Sequence, residues 1–149
     1  NTAVRYKNWD LDVNMRGAFG HQILNFQRLF YENPTNTEYN MLQSALEPVY
    51  GEEMLDYELD YVSYYVEDGD WWKVDNVTLG YSFEPNQLFA LSDFVSSARV
   101  YVSGRNLLTL TGYKGMDPEV STSGLAPGND PRDTYPTTRT FSMGMSLTF

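Results

Sequence analysis

At 149 residues the chain can form a folded domain, and its formal charge of −10 argues against a nucleic-acid partner, because neutralising phosphates takes clustered Lys and Arg. It has no Cys, which removes disulfide scaffolds and thiolate metal sites. No apolar run approaches the ~20 residues of a transmembrane helix, but barrel strands need only about 9–11 alternating residues, so a membrane β-barrel stays open.

The alternation starts at once. Thr2, Val4 and Tyr6 share one face, and Ala3 and Arg5 the other. With no initiator Met and no signal segment before it, Asn1 is expected to be a cut point in a longer protein. Lys7-Asn8 reads as a tight turn, with Asn supplying the left-handed backbone. The next strand runs from Trp9 to Phe19. Trp9, Leu11, Val13, Met15 and Phe19 lie on one face, and Asp10, Asp12, Asn14 and Arg16 on the other. Tilted by about 45°, such a strand covers the roughly 25 Å apolar band of an outer membrane, with Trp9 and Phe19 at its rims.

From Gly20 to Asp70 the alternation stops, and the stretch reads as one long, partly structured loop. Gln22 to Tyr31 has helix-like spacing, ended by Asn33-Pro34, and a second amphipathic piece covers Tyr39 to Leu46, closed by Pro48. An acidic, aromatic stretch follows. Tyr57, Tyr61, Tyr64 and Tyr65, with Trp71 and Trp72 beyond them, could stack on sugar rings or meet a partner, or else pack within their own loop or form an aromatic girdle. Glu52, Glu53, Asp56, Glu58 and Asp60 could offer oxygens to Ca²⁺, but they lack the spacing of a calcium loop, which favours a solvated acidic face and no cofactor or metal.

Regular alternation returns after Trp71. Val77, Leu79, Tyr81 and Phe83 oppose Asn76, Thr78, Gly80 and Ser82. Glu84-Pro85-Asn86 ends that strand, and a connector with a helical turn near Leu88–Leu91 leads to the next, Ala98 to Thr111. There Val100, Val102, Leu108 and Leu110 share a side, with Asn106 breaking the rule. Gly112 to Pro136 is loop, and the tail is the last strand. Phe141, Met143, Met145, Leu147 and Phe149 form a greasy face, and Ser142, Gly144, Ser146 and Thr148 a small polar one. Lipid outside and a wet lumen inside explain that division, while a half-buried strand of a soluble sheet remains the alternative. Its concrete form is a soluble β-sandwich carbohydrate-binding module with the Tyr/Trp stretch as platform.

Catalysis finds no support. His21 is the only His and has no Ser or Cys arranged to use it, and the pairs Asp10/Asp12 and Asp56/Glu58/Asp60 raise glycosidase chemistry without a recognisable cleft.

Four motifs in order carry a resemblance. Glu67-Asp68-Gly69-Asp70-Trp71-Trp72, leading into Asn76-Val77-Thr78-Leu79-Gly80-Tyr81, resembles the acidic-Gly turn and Asn-x-x-Leu-Gly-Tyr strand of SusC/RagA-like TonB-dependent outer-membrane transporters. Arg99 to Thr109, Tyr113 to Val120, and Tyr135-Pro136 with Arg139-Thr140-Phe141, Gly144 and Phe149 are similar to the family's following strand, loop and last strand. The resemblance implies an all-β fold, the C-terminal strands of an antiparallel transmembrane β-barrel of about 22 strands with an internal plug. Residues 1–149 would supply about five strands and two long extracellular loops, 20–70 and 112–136, with the plug and earlier strands elsewhere. It also implies multi-pass residence in a Gram-negative outer membrane and import of oligosaccharides or oligopeptides. The implied partners are a SusD-like surface lipoprotein, TonB through a missing N-terminal part, the rest of the same barrel, and barrel-assembly machinery. That machinery would read Phe141, Gly144, Leu147 and Phe149.

Overall fold

The computed structural model describes residues 1–35, 38–47, 61–84, 87, 95–120, 125, 127–132 and 134–149. The chain divides into two compact units, each interrupted in sequence. The first holds Asn1–Gly17, Trp72–Leu110 and Thr137–Phe149, and the second Ala18–Trp71 and Thr111–Pro136.

The first unit is one five-stranded sheet, with β1 (Thr2–Tyr6), β2 (Trp9–Ala18), β5 (Trp71–Phe83), β6 (Ser97–Thr111) and β8 (Thr140–Thr148) side by side in chain order. That up-and-down order is the expected one. β1 and β2 pair antiparallel with Tyr6 opposite Trp9, which leaves Lys7-Asn8 as a two-residue hairpin. Here the expectation for the turn is corrected. Lys7, not Asn8, takes the left-handed backbone, at φ 53°. Asn8 is used for stitching instead, since its side-chain amide donates to the Ser82 carbonyl at 2.9 Å and its own carbonyl accepts from the Ser82 amide at 2.8 Å.

β6 and β8 are antiparallel from Ser97↔Thr148 to Arg105↔Thr140, and this register sorts the side chains. Val100 faces Met145 and Val102 faces Met143, while on alternate positions Tyr101 faces Gly144 and Ser103 faces Ser142. The anomaly at Asn106 is a backbone feature. Asn106 sits at φ 52°, the β6–β8 ladder ends one residue before it, and its side-chain amide donates to the Thr138 carbonyl at 2.9 Å. Beyond it the Leu107 side chain covers Gly104, while Leu108 and Leu110 are exposed as Val100 and Val102 are.

One ion pair explains a motif glycine. Asp10 of β2 and Arg99 of β6 are separated in the sheet by β5, yet the guanidinium meets the carboxylate through two hydrogen bonds, Nε to Oδ1 at 3.0 Å and Nη2 to Oδ2 at 2.5 Å. They meet over Gly80. A Cβ there would fall 2.6 Å from Asp10 Oδ1 and closer still to the guanidinium. Tyr101 likewise lies over Gly144, where an added Cβ would stand 2.5 Å from its hydroxyl.

The second unit, expected as a partly structured loop and a second loop, contains short strands and a helix among its described residues. Gln22–Asn25 is a strand, β3, and the helix α1 covers only Phe26–Tyr31. β3 pairs antiparallel with β4 (Val66–Asp68) and parallel with β7 (Asn129–Asp130), so the two sequence loops share one small sheet. Asn25 ends the strand and caps the helix, its side chain accepting from the Arg28 amide at 3.0 Å. Of the second amphipathic piece, Gln43–Leu46 is a 3-10 turn; Ser63–Tyr65 forms another. Pro48, the carboxylates from Glu52 to Asp60, Tyr57 and the turn near Leu88 lie outside the described residues.

Gly80→Leu is expected to push Asp10 and Arg99 apart and to cost roughly 1–3 kcal/mol. Gly112→Ala, at a position with open space, should cost less than about 0.5 kcal/mol. Denaturant unfolding of the protein compares them, and equal midpoints would remove the packing role of Gly80.

Candidate functional site

The two units differ in how much apolar surface they bury. In the second, Ile23, Leu29, Ala45, Tyr65, Trp71 and Tyr113 are buried, an ordinary water-soluble core. In the first, the buried apolar side chains among the described residues are Val95 and Ala98, while Phe141 is 71% and Met143 86% exposed. The sheet thus turns its greasy face outward. Trp9, Leu79, Tyr81, Val100, Val102, Met143 and Met145 line one shallow groove of about 740 Å³. Trp9 packs edge-on against Tyr81 at 4.9 Å, and Tyr81 against Phe83 at the same distance, an aromatic row beside the Lys7-Asn8 turn. Asn14, Asn76, Thr78, Ser103, Arg105 and Ser142 line a second hollow of about 540 Å³, rich in hydroxyls and amides.

Leu11, Val13 and Val77 are partly covered and Met15, Leu147 and Phe149 exposed. Phe19 falls just past the end of β2 and is 68% exposed.

The aromatic candidates divide. Tyr65 and Trp71 are 5% and 7% exposed, so most of each ring goes into packing. Tyr64 stands edge-on to Tyr65 at 5.0 Å and lies under the Arg28 guanidinium at 4.9 Å. Tyr61 is exposed but touches Phe26 at 5.7 Å, and Trp72 is half-buried.

What holds the second unit is a polar network that periodicity could not reveal. Arg28 donates from Nε and Nη2 to Glu32, at 2.7 and 2.9 Å, and from Nη1 to Glu67 at 2.5 Å. Glu67 also accepts from the Asn25 amide at 3.2 Å and from the Lys114 backbone amide at 2.8 Å, and Glu32 accepts from the Ser44 hydroxyl at 2.7 Å. Burial alone would pull the Arg28 pKa down, but the hydrogen bonds to Glu32 and Glu67 outweigh it and hold the guanidinium charged. The acidic-Gly turn continues the network. Gly69 donates its amide to the His21 carbonyl at 2.9 Å, and Asp70 accepts from the Gly20 amide at 2.5 Å. Nearby the Tyr113 hydroxyl donates to buried Asp130 at 2.6 Å. Burial pushes both pKa values up, with the hydrogen bond pulling Asp130 partly back.

No family model matches the chain. TonB-dependent receptor P3 of Formosa agariphila is 30% identical over 100% of this chain, and TonB-dependent receptor SusC of Bacteroides thetaiotaomicron 31% over 98%. The solved RagAB peptide transporter superposes with a TM-score of 0.78 at 30% identity, over 95% of this chain. The chain carries a segment of the SusC/RagA-like TonB-dependent receptor fold. It spans 16% of the P3 receptor, 14% of SusC and 16% of the RagAB chain. These are receptors and transporters, not enzymes, in agreement with the absence of a catalytic expectation. In this receptor segment the acidic-Gly motif is the tie between β4, the start of β3 and the Lys114 segment.

Arg28→Met is expected to leave Glu32 and Glu67 uncompensated and to cost about 3–5 kcal/mol locally. Hydrogen exchange at the Ile23 and Leu24 amides of the full-length receptor reads it, and unchanged protection would mean the network does not hold β3. Asp130 has a raised folded pKa, so its contribution is complete below its ordinary value and fades as pH rises through the raised one, from roughly pH 4 upward. Asp130→Asn keeps an acceptor for Tyr113 and should flatten the pH dependence of exchange at Leu24. A slope equal to that of the parent would assign the dependence elsewhere.

Proposed function

We propose that the chain forms part of the wall and outer loops of a TonB-dependent importer in the outer membrane of a Gram-negative bacterium. The observation that carries this reading is the exposed apolar band of the sheet, with a polar face behind it. Lipid would solvate the band, and the hydroxyls, amides and Arg105 would face a wet lumen. A soluble sandwich would instead cover an apolar sheet face with a second sheet at about 10 Å, and no described residues form one over Met143 and Met145.

On this reading β1 and β8, each with one neighbour here, would pair with strands from the rest of the barrel. Residues 20–70 and 112–136 would be extracellular, and the Lys7-Asn8 turn periplasmic. The mechanism is gated passage without chemistry on the cargo. A SusD-like lipoprotein would hold a large nutrient against the barrel, and TonB, reached through a part of the receptor outside this chain, would displace the plug. The likeness to RagAB, a peptide transporter, supports oligopeptides among the cargo, and the likeness to SusC supports the family assignment. Phe141, Gly144, Leu147 and Phe149 would serve as the strand read by barrel-assembly machinery.

Charge placement tests the two faces. Met143→Arg should cost about 2–4 kcal/mol if Met143 lies near the bilayer midplane, and should lower the amount of receptor assembled in the outer membrane, whereas Ser142→Arg should be tolerated. Heat-modifiable mobility of the full-length receptor measures both. Normal assembly of the Met143 variant, or recovery of the intact receptor in buffer without detergent, would overturn the importer reading.

A further inference from the structure

The second unit contains a cleft of about 430 Å³ lined by Phe19, Trp71 and Pro118 together with His21 and Glu119. Phe19 is 68% exposed, so its ring is available from solvent, while buried Trp71 supplies a rigid aromatic wall. Aromatic faces attract cations, and a carboxylate at the same cleft adds charge to that preference.

The charge distribution says which ligand would be drawn there. The second unit carries fifteen carboxylates against three Lys and Arg, a net −12, while the first carries five against seven, a net +2. Two of the three bases are already engaged. Arg28 is buried between Glu32 and Glu67, and Arg132 lies 3.5 Å from the centre of the Phe30 ring. The unit's surroundings are therefore negative, which concentrates cations at short range and repels acidic ligands. It also stacks guanidinium on aromatic rings twice within itself, at Tyr64 and at Phe30. An uncharged glycan gains nothing from such a field.

We propose that the Phe19–Trp71–Glu119 cleft is a subsite for a cationic side chain, arginine or lysine, of an oligopeptide ligand. This rests on the import reading for its biological meaning and on the cleft alone for its chemistry. The guanidinium or ammonium would lie against the aromatic wall with Glu119 as its counter-ion, and the peptide backbone would remain outside the cleft.

The test is direct binding to the full-length receptor in detergent or nanodiscs. The probes are a fluorescent penta-alanine peptide with one central arginine, the same peptide with glutamine, and an uncharged malto-oligosaccharide. The arginine peptide should bind about tenfold more tightly than the glutamine peptide, a preference that shrinks as salt is raised. Phe19→Ala and Glu119→Gln, both at exposed side chains, should each reduce it to about twofold or less while assembly stays normal. Equal binding of the two peptides, an arginine preference that survives both substitutions, or malto-oligosaccharide binding that Phe19→Ala abolishes would overturn the subsite. Import is read separately. A receptor that takes up peptides regardless of charge keeps the import function and loses the subsite, and one that binds arginine through the cleft without TonB-driven uptake keeps the subsite and loses import.

Discussion

A sheet that exposes its apolar face has to be solvated by something apolar, and the rest of the first unit follows from that requirement. Burying an apolar side chain against protein or lipid removes it from water alike, by roughly 25 cal/mol per Å². Leaving Met143, Met145 and Phe141 in water forgoes that gain along a whole strand. The opposite face cannot then hold a hydrophobic core, and its cohesion comes from polar contacts such as Asp10 with Arg99. Backbone pairing supplies the remainder, each strand resting on its neighbours' hydrogen bonds.

The glycines belong to the same argument. A face that carries long side chains reaching between strands needs places where nothing projects. Gly80 opens the space through which Asp10 and Arg99 meet across an intervening strand, and Gly144 opens the space that Tyr101 fills. Small residues on this face are thus partners of large ones, in the manner of any interdigitated surface. The second unit solves the opposite problem. It buries Ile23 and Leu29 as a water-soluble protein would, but its strands are two to four residues long and its helix six, too short to persist alone. The Arg28 network supplies the specificity that short elements lack, by tying α1, the Ser44 turn, β4 and the Lys114 segment to one guanidinium and two carboxylates.

These differences decide what was legible in the chain. Period-two alternation is a direct readout of a sheet with two chemically distinct faces, so the five long strands, their order and the two face sets stand in plain view from Thr2 to Thr148. Short strands carry too few residues for a period. Gln22–Asn25 merged with the helix that follows because Ile23 and Leu24 fit either spacing, and the Asn25 cap that separates them is decided by a hydrogen bond. Lys7 took the left-handed position that Asn8 was expected to fill because Asn8 has a partner at Ser82, 74 residues away. Asn106 showed itself as a break in the pattern, but the break alone could not say that its backbone is left-handed, at φ 52°.

The acidic-Gly motif is the most instructive case. Met as sequence it reads as an acidic-Gly turn leading into the next strand. In the fold each of its groups has an address. Glu67 receives Arg28, Asn25 and the Lys114 amide, Asp68 accepts from the Asp70 amide, Asp70 accepts from Gly20, and Gly69 is pressed against the His21 ring, where a Cβ would fall 2.7 Å away. Four consecutive residues so engaged leave little freedom for substitution, because removing any one acceptor strands a donor elsewhere in the unit. A motif of this kind need not touch cargo to be retained. It holds the turn that precedes β5 through contacts made wholly within the second unit, from Arg28 and Asn25 to Glu67 and from Gly20 to Asp70.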